Sequence, residues 1–254
     1  MASPQVPRIF SARRRALRLA RALARQRRAD AARFVWEDMA EEMVERLAFV
    51  RHQPRRPLVV GPCPAPLRDY LGQSAESVAD GNAIDLESPW PDSGFDFIAV
   101  LGQLDAVNDL PGALIHLRGA LEPGGLVIAS FVGGQSLHAL RAAMLAAEPE
   151  RPAARMHPLV DHRAAPGLLQ RAAWKDPVVD TQALTVRYSA LDTLVSDLRD
   201  QGLTSALADA PPPLGRKALD RARAAFLDHA DAGGKVSERI EIVTLTGRRS
   251  LAGT

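Results

Sequence analysis

This 254-residue sequence predicts an α/β fold, a doubly wound and mainly parallel sheet with helices on both faces. Three observations carry that prediction. Phe95 to Leu101 is a near-continuous apolar run, a helical pattern follows through Leu114, Leu117 and Leu121, and a second apolar run spans Leu126 to Val132. Such a βαβ unit normally pairs its strands in parallel through a right-handed crossover. Leu58-Val59-Val60-Gly61 is a short strand ending in a turn, where a doubly wound sheet would begin. Val236 to Gly247, with alternating Ile240, Ile242, Val243 and Leu245, ends the chain's periodic segments on a strand pattern.

From the N-terminus, Ser11 to Arg51 holds neither Pro nor Gly and reads as helical throughout. Val35, Met39, Met43 and Leu47 recur every four residues and define one apolar face. The first half is strongly basic. Before residue 34, ten arginines are opposed only by Asp30, so about +9 sits there and about −7 on the rest of a chain whose net charge is +2. This half reads as a helix packed on its own domain through Leu17, Leu19 and Leu23. An Arg-rich, acid-poor segment is also the composition of a mitochondrial presequence, and it would suit an acidic protein partner or a membrane surface. No specific nucleic-acid binding is expected, because aromatic residues for stacking are absent between Arg13 and Arg33. We divide the chain into a helical extension, residues 1–52, and an α/β domain, residues 53–254.

The first strand leads into Gly61-Pro62-Cys63-Pro64-Ala65-Pro66. A phosphate- or nucleotide-cradling loop uses glycines so that backbone N–H groups approach the ligand. Here one glycine remains and three prolines remove three donors. A short helix, Leu67 to Leu71, comes next. Ser77-Val78-Ala79 and Ala83-Ile84-Asp85-Leu86 read as one irregular strand, or as an antiparallel pair turning at Asp80-Gly81-Asn82. A parallel crossover needs a dozen or more residues, so a whole βα unit is missing between them. Further helices are expected over Gln135 to Ala147, Asp161 to Trp174, Leu191 to Arg199 and Leu214 to Ala230. Pro177 to Tyr188 should form a strand pair or one bent strand. Asn108-Asp109 should cap the helix that begins at Leu110-Pro111.

Cys63 is the only cysteine, which excludes an internal disulfide and fits a reducing, cytoplasmic setting. A helix N-terminus beside it could lower its pKa. No apolar run approaches the roughly 20 residues of a membrane span. His157, Asp161 and His162 match no standard metal spacing, and no metal site is expected.

Several motifs then become recognisable together. Asp85-Leu86-Glu87-Ser88-Pro89-Trp90 with Gly94-Phe95-Asp96-Phe97-Ile98, and Leu121-Glu122-Pro123-Gly124-Gly125-Leu126, resemble elements of class I S-adenosylmethionine-dependent methyltransferases. Val107 to Leu114, Leu168 to Ala172, Val186-Arg187-Tyr188 and Asp197-Leu198-Arg199 narrow the resemblance. They are similar to the methyltransferase-like family that includes the mitochondrial complex I assembly hydroxylase and its alphaproteobacterial relatives. The resemblance implies a Rossmann-like, seven-stranded sheet with an antiparallel last strand and a reduced second βα unit. It implies S-adenosylmethionine across the first strands, with Gly61 in the methionine loop and Cys63 where a second loop glycine normally stands. Asp80 is then the nearest substitute for the ribose-binding acid, Asp85 and Leu86 lie beside adenine, and Leu101 and Gly102 open the loop facing the sulfonium. The acid normally ending the first strand is here Val59 or Val60, and Leu104-Asp105-Ala106 replaces the family's Leu-His-Trp. No catalytic residue is identified. The function implied is methyl transfer, for which a protein substrate met through the basic helix is one expectation. The alternatives are an inactive pseudo-methyltransferase serving as a binding or assembly factor, and an S-adenosylmethionine-binding protein-arginine hydroxylase.

Overall fold

The computed structural model describes residues 8–73 and 78–251. Two helices, α1 (Ala12–Arg25) and α2 (Phe34–Phe49), precede β1 (Pro57–Val60), α3 (Ala65–Gly72) and the two-residue β2 (Ala79–Asp80). The central unit is β3 (Phe95–Leu101), α4 (Leu110–Ala120) and β4 (Leu121–Val132), as its pattern predicts. Then come α5 (His138–Ala147), α6 (Ala165–Arg171), β5 (Lys175–Tyr188), α7 (Leu191–Asp200), α8 (Arg216–Leu227) and β6 (Val236–Arg248). Sheet order is β2-β1-β3-β4-β6-β5. The first four strands pair in parallel, and β6 inserts antiparallel between β4 and β5.

Period-two alternation sorts the central strands between two apolar layers. Phe97, Ala99, Leu101 and Ile128 face α2, α3, α5, α7 and α8, whereas Ile98, Val100, Val127 and Ala129 face α4 and α6. Val35, Met39, Met43 and Leu47 are fully buried in the first layer, each worth about 1.5–3 kcal/mol relative to exposure. Helix α2 is therefore a wall of the sheet's core.

Four expectations need correction. The sheet among the described residues has six strands, not seven, because the outer βα unit beyond β2 is absent. The pair of strand fragments is also different. Ala79–Asp80 joins β1 in parallel, with Leu58 opposite Ala79 and Val59 opposite Asp80, while residues 83–86 only turn. Ser77 lies outside the described residues. Along α1, Leu19 is buried, but Leu17 and Leu23 are 39% and 36% exposed, and the inward positions are Arg18, Leu19 and Ala22.

The single N-terminal helix is in fact two, broken across residues 26–33 with no Pro or Gly. Long-range polar contacts at the end of α7 make the break. Buried Asp200 accepts from the Arg25 side chain and, at 3.2 Å, from the Ala32 amide. Gln26 Nε2 donates to the Ala32 and Asp200 carbonyls, both at 2.8 Å. The Arg33 guanidinium donates to four carbonyls between Gln26 and Ala31, and Gln201 Oε1 accepts from the Val35 amide at 2.7 Å, satisfying the first turn of α2. Local helix propensity is worth only tenths of a kcal/mol per residue and yields to these bonds.

Replacing Asp200 by Ala strands the Ala32 amide and the Arg25 guanidinium. The expected loss is about 2–3 kcal/mol in urea denaturation, with faster amide exchange confined to residues 26–33.

Candidate functional site

In open parallel sheets, ligands bind beyond the carboxyl ends of the strands, where the connections diverge to opposite faces. Here that edge is the ends of β1 and β3 with the loops after them. Gly61 ends β1 with φ +103°, and a Cβ built on it would lie 2.2 Å from the Leu101 carbonyl oxygen, so only glycine lets the two strand ends approach. Its amide donates to Asn82 Oδ1 at 2.8 Å. The Gly102 amide donates to the Ser130 carbonyl at 2.8 Å. The two glycine amides at this edge are thus engaged within the protein.

After Gly102 the chain makes a 3₁₀ turn, Leu104–Ala106, that places Asp105 in the interior at 3% exposure. Arg18 of α1, itself 7% exposed, meets it in a bidentate pair with both nitrogen–oxygen distances at 2.9 Å. Arg18 donates further to the carbonyls of Thr204 and Gly102, at 3.3 and 3.5 Å. His157 Nε2 lies 3.4 Å from Asp105, and His157 Nδ1 accepts from the Ala206 amide, which assigns the proton to Nε2. Burial alone would push the Asp105 carboxyl up; the Arg18 guanidinium and His157 outweigh it and hold the group well below the usual carboxylate range.

One turn before Arg18, Arg15 donates to the Ala106 carbonyl at 3.1 Å, pairs with Glu87 and lies 3.6 Å from Asp85. Glu87 also accepts from the Asn108 and Asp109 amides, at 2.7 and 3.0 Å. Asn108 clasps Phe10 through its amide and carbonyl, and Phe10 stacks edge-on against His157 at 5.4 Å. Asp109 caps α4 as expected, accepting from the Gly112 amide at 2.9 Å. Residues 10 to 18 therefore lie across the loops that follow β2 and β3.

Of the residues implied for the cofactor, Gly61, Leu101 and Gly102 meet at the strand ends, while Asp80 and Asp85 are occupied in local turns. Asp80 is exposed at the end of β2 and its Oδ1 accepts from the Asn82 amide in a local turn. Asp85 does likewise with the Glu87 amide and the Ser88 hydroxyl. Leu86, implied beside adenine, and Leu101, implied at the sulfonium loop, are buried in opposite core layers. Cys63 lines a cavity of about 460 Å³ between the β1–α3 turn and the helices α1 and α2. Trp36, Arg33, Glu37 and Arg68 complete its polar wall, and Glu37 makes no ion pair among the described residues. Burial pushes the Cys63 thiol up despite nearby Arg68, so the suggested lowering by a helix N-terminus is corrected. Among the described residues no group of three or more His, Cys, Asp or Glu could hold a metal, and no helix is long and apolar enough to cross a membrane.

Sequence reasoning missed Arg15, Arg18, Asn82, Glu87 and His157 as partners. A signal was present: an acid replaced the family's histidine at position 105 while the N-terminus held uncompensated arginines.

Arg18→Met would leave the buried Asp105 carboxylate unpaired, at an expected cost of about 3–5 kcal/mol, and adding Asp105→Asn should recover part of it. Because the folded carboxyl is held down, its contribution is complete above about pH 4 and fades as pH falls towards the depressed native value. The urea midpoint of the wild type should therefore fall more steeply with acidification below that pH than the midpoint of Asp105→Asn.

No family model matches this chain. It is 28% identical over 163 residues to the mitochondrial arginine-hydroxylase NDUFAF5 of Rattus norvegicus, covering 63% of this chain and 48% of that protein. It is also 28% identical over 233 residues to the malonyl-[acyl-carrier protein] O-methyltransferase of Halorhodospira halophila, covering 81% of this chain and 78% of the other. The chain thus spans about half the length of the NDUFAF5 proteins it matches. In fold it is similar to the proposed methyltransferase BH2331 of Bacillus halodurans C-125, with a TM-score of 0.51 over 82% of this chain and 98% of that one, at 10% identity.

Proposed function

We propose that this chain, a class I S-adenosylmethionine-dependent methyltransferase-like protein, acts as a non-catalytic binding or assembly factor. The observation that carries this reading is the buried Arg18–Asp105–His157 cluster at the end of β3. A transferring sulfonium would face that loop, and the chain fills the place with its own helix. The adenine- and ribose-side residues do not fit the cofactor either. Asp80 and Asp85 accept from amides of their own turns and Leu86 faces the core, while in the methionine loop the Gly61 amide is satisfied by Asn82. We therefore derive no methyl-transfer step. The single, half-buried Cys63 suits a reducing compartment such as the cytoplasm.

One observation favours a second reading, in which an S-adenosyl ligand is still bound. The 460 Å³ cavity over the β1–α3 turn sets the unpaired Glu37 carboxylate and the Arg68 guanidinium on its wall, a charge pair suited to the ammonium and carboxylate of an amino acid. Methyl transfer to a protein, or hydroxylation of a protein arginine, would follow only from that reading.

Thermal melting with S-adenosylmethionine and S-adenosylhomocysteine separates the two. A ligand held more tightly than about 100 μM, supplied at 100-fold excess over its dissociation constant, adds roughly 2.7 kcal/mol. We expect no shift from either compound at millimolar concentration. A saturable shift that Glu37→Gln or Arg68→Ala weakens would replace the non-catalytic reading with the second.

A further inference from the structure

We infer that the outer face of α1 is a docking groove for an acidic protein segment, one apolar side chain of which enters an adjoining pocket. This deepens the binding-factor reading, on which it rests, by naming the chemistry of the partner.

A groove of about 970 Å³ runs between α1 and the end of α7, with Arg13, Arg14, Arg21 and Arg199 on its wall. All four are exposed, and none makes an ion pair among the described residues. Two further arginines of the same wall, Arg18 and Arg25, are fixed by the buried carboxylates of Asp105 and Asp200. The groove is therefore a rigid surface that presents unneutralised guanidinium groups. Outside the first 33 residues the chain is net acidic, so the positive field is concentrated here.

The spacing on α1 adds a second element. Arg13, Leu17 and Arg21 recur every four residues and form one row on the helix surface, with Leu17 exposed between two arginines. Thr204 and Ser205 line both this groove and a neighbouring, mostly apolar pocket of about 190 Å³. Leu137, Leu140, Met144, Val195 and Leu198 contribute to that pocket's wall. Its volume suits one large apolar side chain, and α1, at about 1.5 Å per residue, is as long as about six extended residues.

This combination favours an acidic polypeptide over the other polyanions. Carboxylates match the guanidinium fork in bidentate geometry. Among the described residues no aromatic side chain lines the groove to stack a base, and a phosphate backbone has no use for the apolar pocket. A membrane would need the apolar side of α1, but Leu19 and Ala22 are buried in the protein's own fold.

The test uses the full chain and a fluorescein-labelled peptide of about eight residues, alternating Asp and Glu around one central Phe, read by fluorescence anisotropy at low salt. We expect saturable binding that salt weakens, and several-fold weaker binding when the Phe is replaced by Ala. The double variant Arg14→Glu/Arg21→Glu, whose altered groups make no ion pair in the fold, should weaken binding by about tenfold or more. Arg171→Glu, on the far helix α6, should leave it unchanged. Equal affinity of the Phe and Ala peptides would overturn the anchoring pocket. Absence of binding, an equal loss in the α6 control, or tighter binding of a single-stranded oligonucleotide or of phosphatidylglycerol vesicles would overturn the acidic-segment assignment. Binding of S-adenosylmethionine would overturn the non-catalytic reading and leave this result standing, so the two failures are distinguishable.

Discussion

The ion pair between Arg18 and Asp105 is the contact on which the carboxyl edge of the sheet depends. Both groups are withdrawn from water, which costs several kcal/mol per ion before their attraction is counted. Such a pair is tolerated only when the remaining hydrogen-bonding capacity is used, and here His157 and the carbonyls of Gly102 and Thr204 use it. Its net contribution to stability is therefore small, but its contribution to geometry is large. It fixes a helix near the N-terminus against a loop 87 residues later, and through His157 it engages the segment that leads into the Ala206 turn. Without it, a single guanidinium would lie unpaired among the buried Leu19 and Ala22 of α1.

Buried carboxylates play the same fastening role elsewhere. Asp96, at 4% exposure, accepts from the Arg55 and Arg56 amides at 2.6 and 2.8 Å, holding the entry to β1 against the start of β3. Glu238 of β6 accepts from the Leu140 amide at 2.6 Å, and Glu241 from the Gln135 amide at 3.0 Å. Glu238 thus satisfies an amide in the first turn of α5, which has no side-chain cap of its own and follows Leu137 in a left-handed conformation, and Glu241 holds the turn that leads into it. A helix N-terminus favours negative charge, so a neighbouring strand does what a local Ser or Asp usually does.

This explains which parts of the structure were legible in the sequence. Phe95 to Leu101 and the α4 positions Leu114 and Leu117 were legible because burial on a periodic element leaves a periodic pattern. The same holds for Val35, Met39, Met43 and Leu47. The break between α1 and α2 was not, because Asp200 and Gln201, which make it, lie some 170 positions away. Asp105 was visible as a departure from the family's histidine, but its partner Arg18 was one arginine among ten. The cofactor loop was legible as a loss of donors at its three prolines. That its remaining glycine would give its amide to Asn82 was not, since that bond needs the short β2 to lie beside β1.

The losses at the cofactor edge and the position of α1 are physically linked. A crevice at the switch point of a parallel sheet needs walls on both sides and free donors at its floor. Here the sheet ends at a two-residue edge strand, so one wall is short. The floor amides of Gly61 and Gly102 already have partners. Without α1 the Ala106 carbonyl would lose its side-chain donor, and the Glu87 and Asp105 carboxylates their counter-charges, and buried acceptors and charges need partners. Arg15 and Arg18 supply them. On the same helix Arg13, Arg14 and Arg21 stay exposed and make no ion pair among the described residues. The basic outer groove is thus the geometric counterpart of the sealed inner crevice.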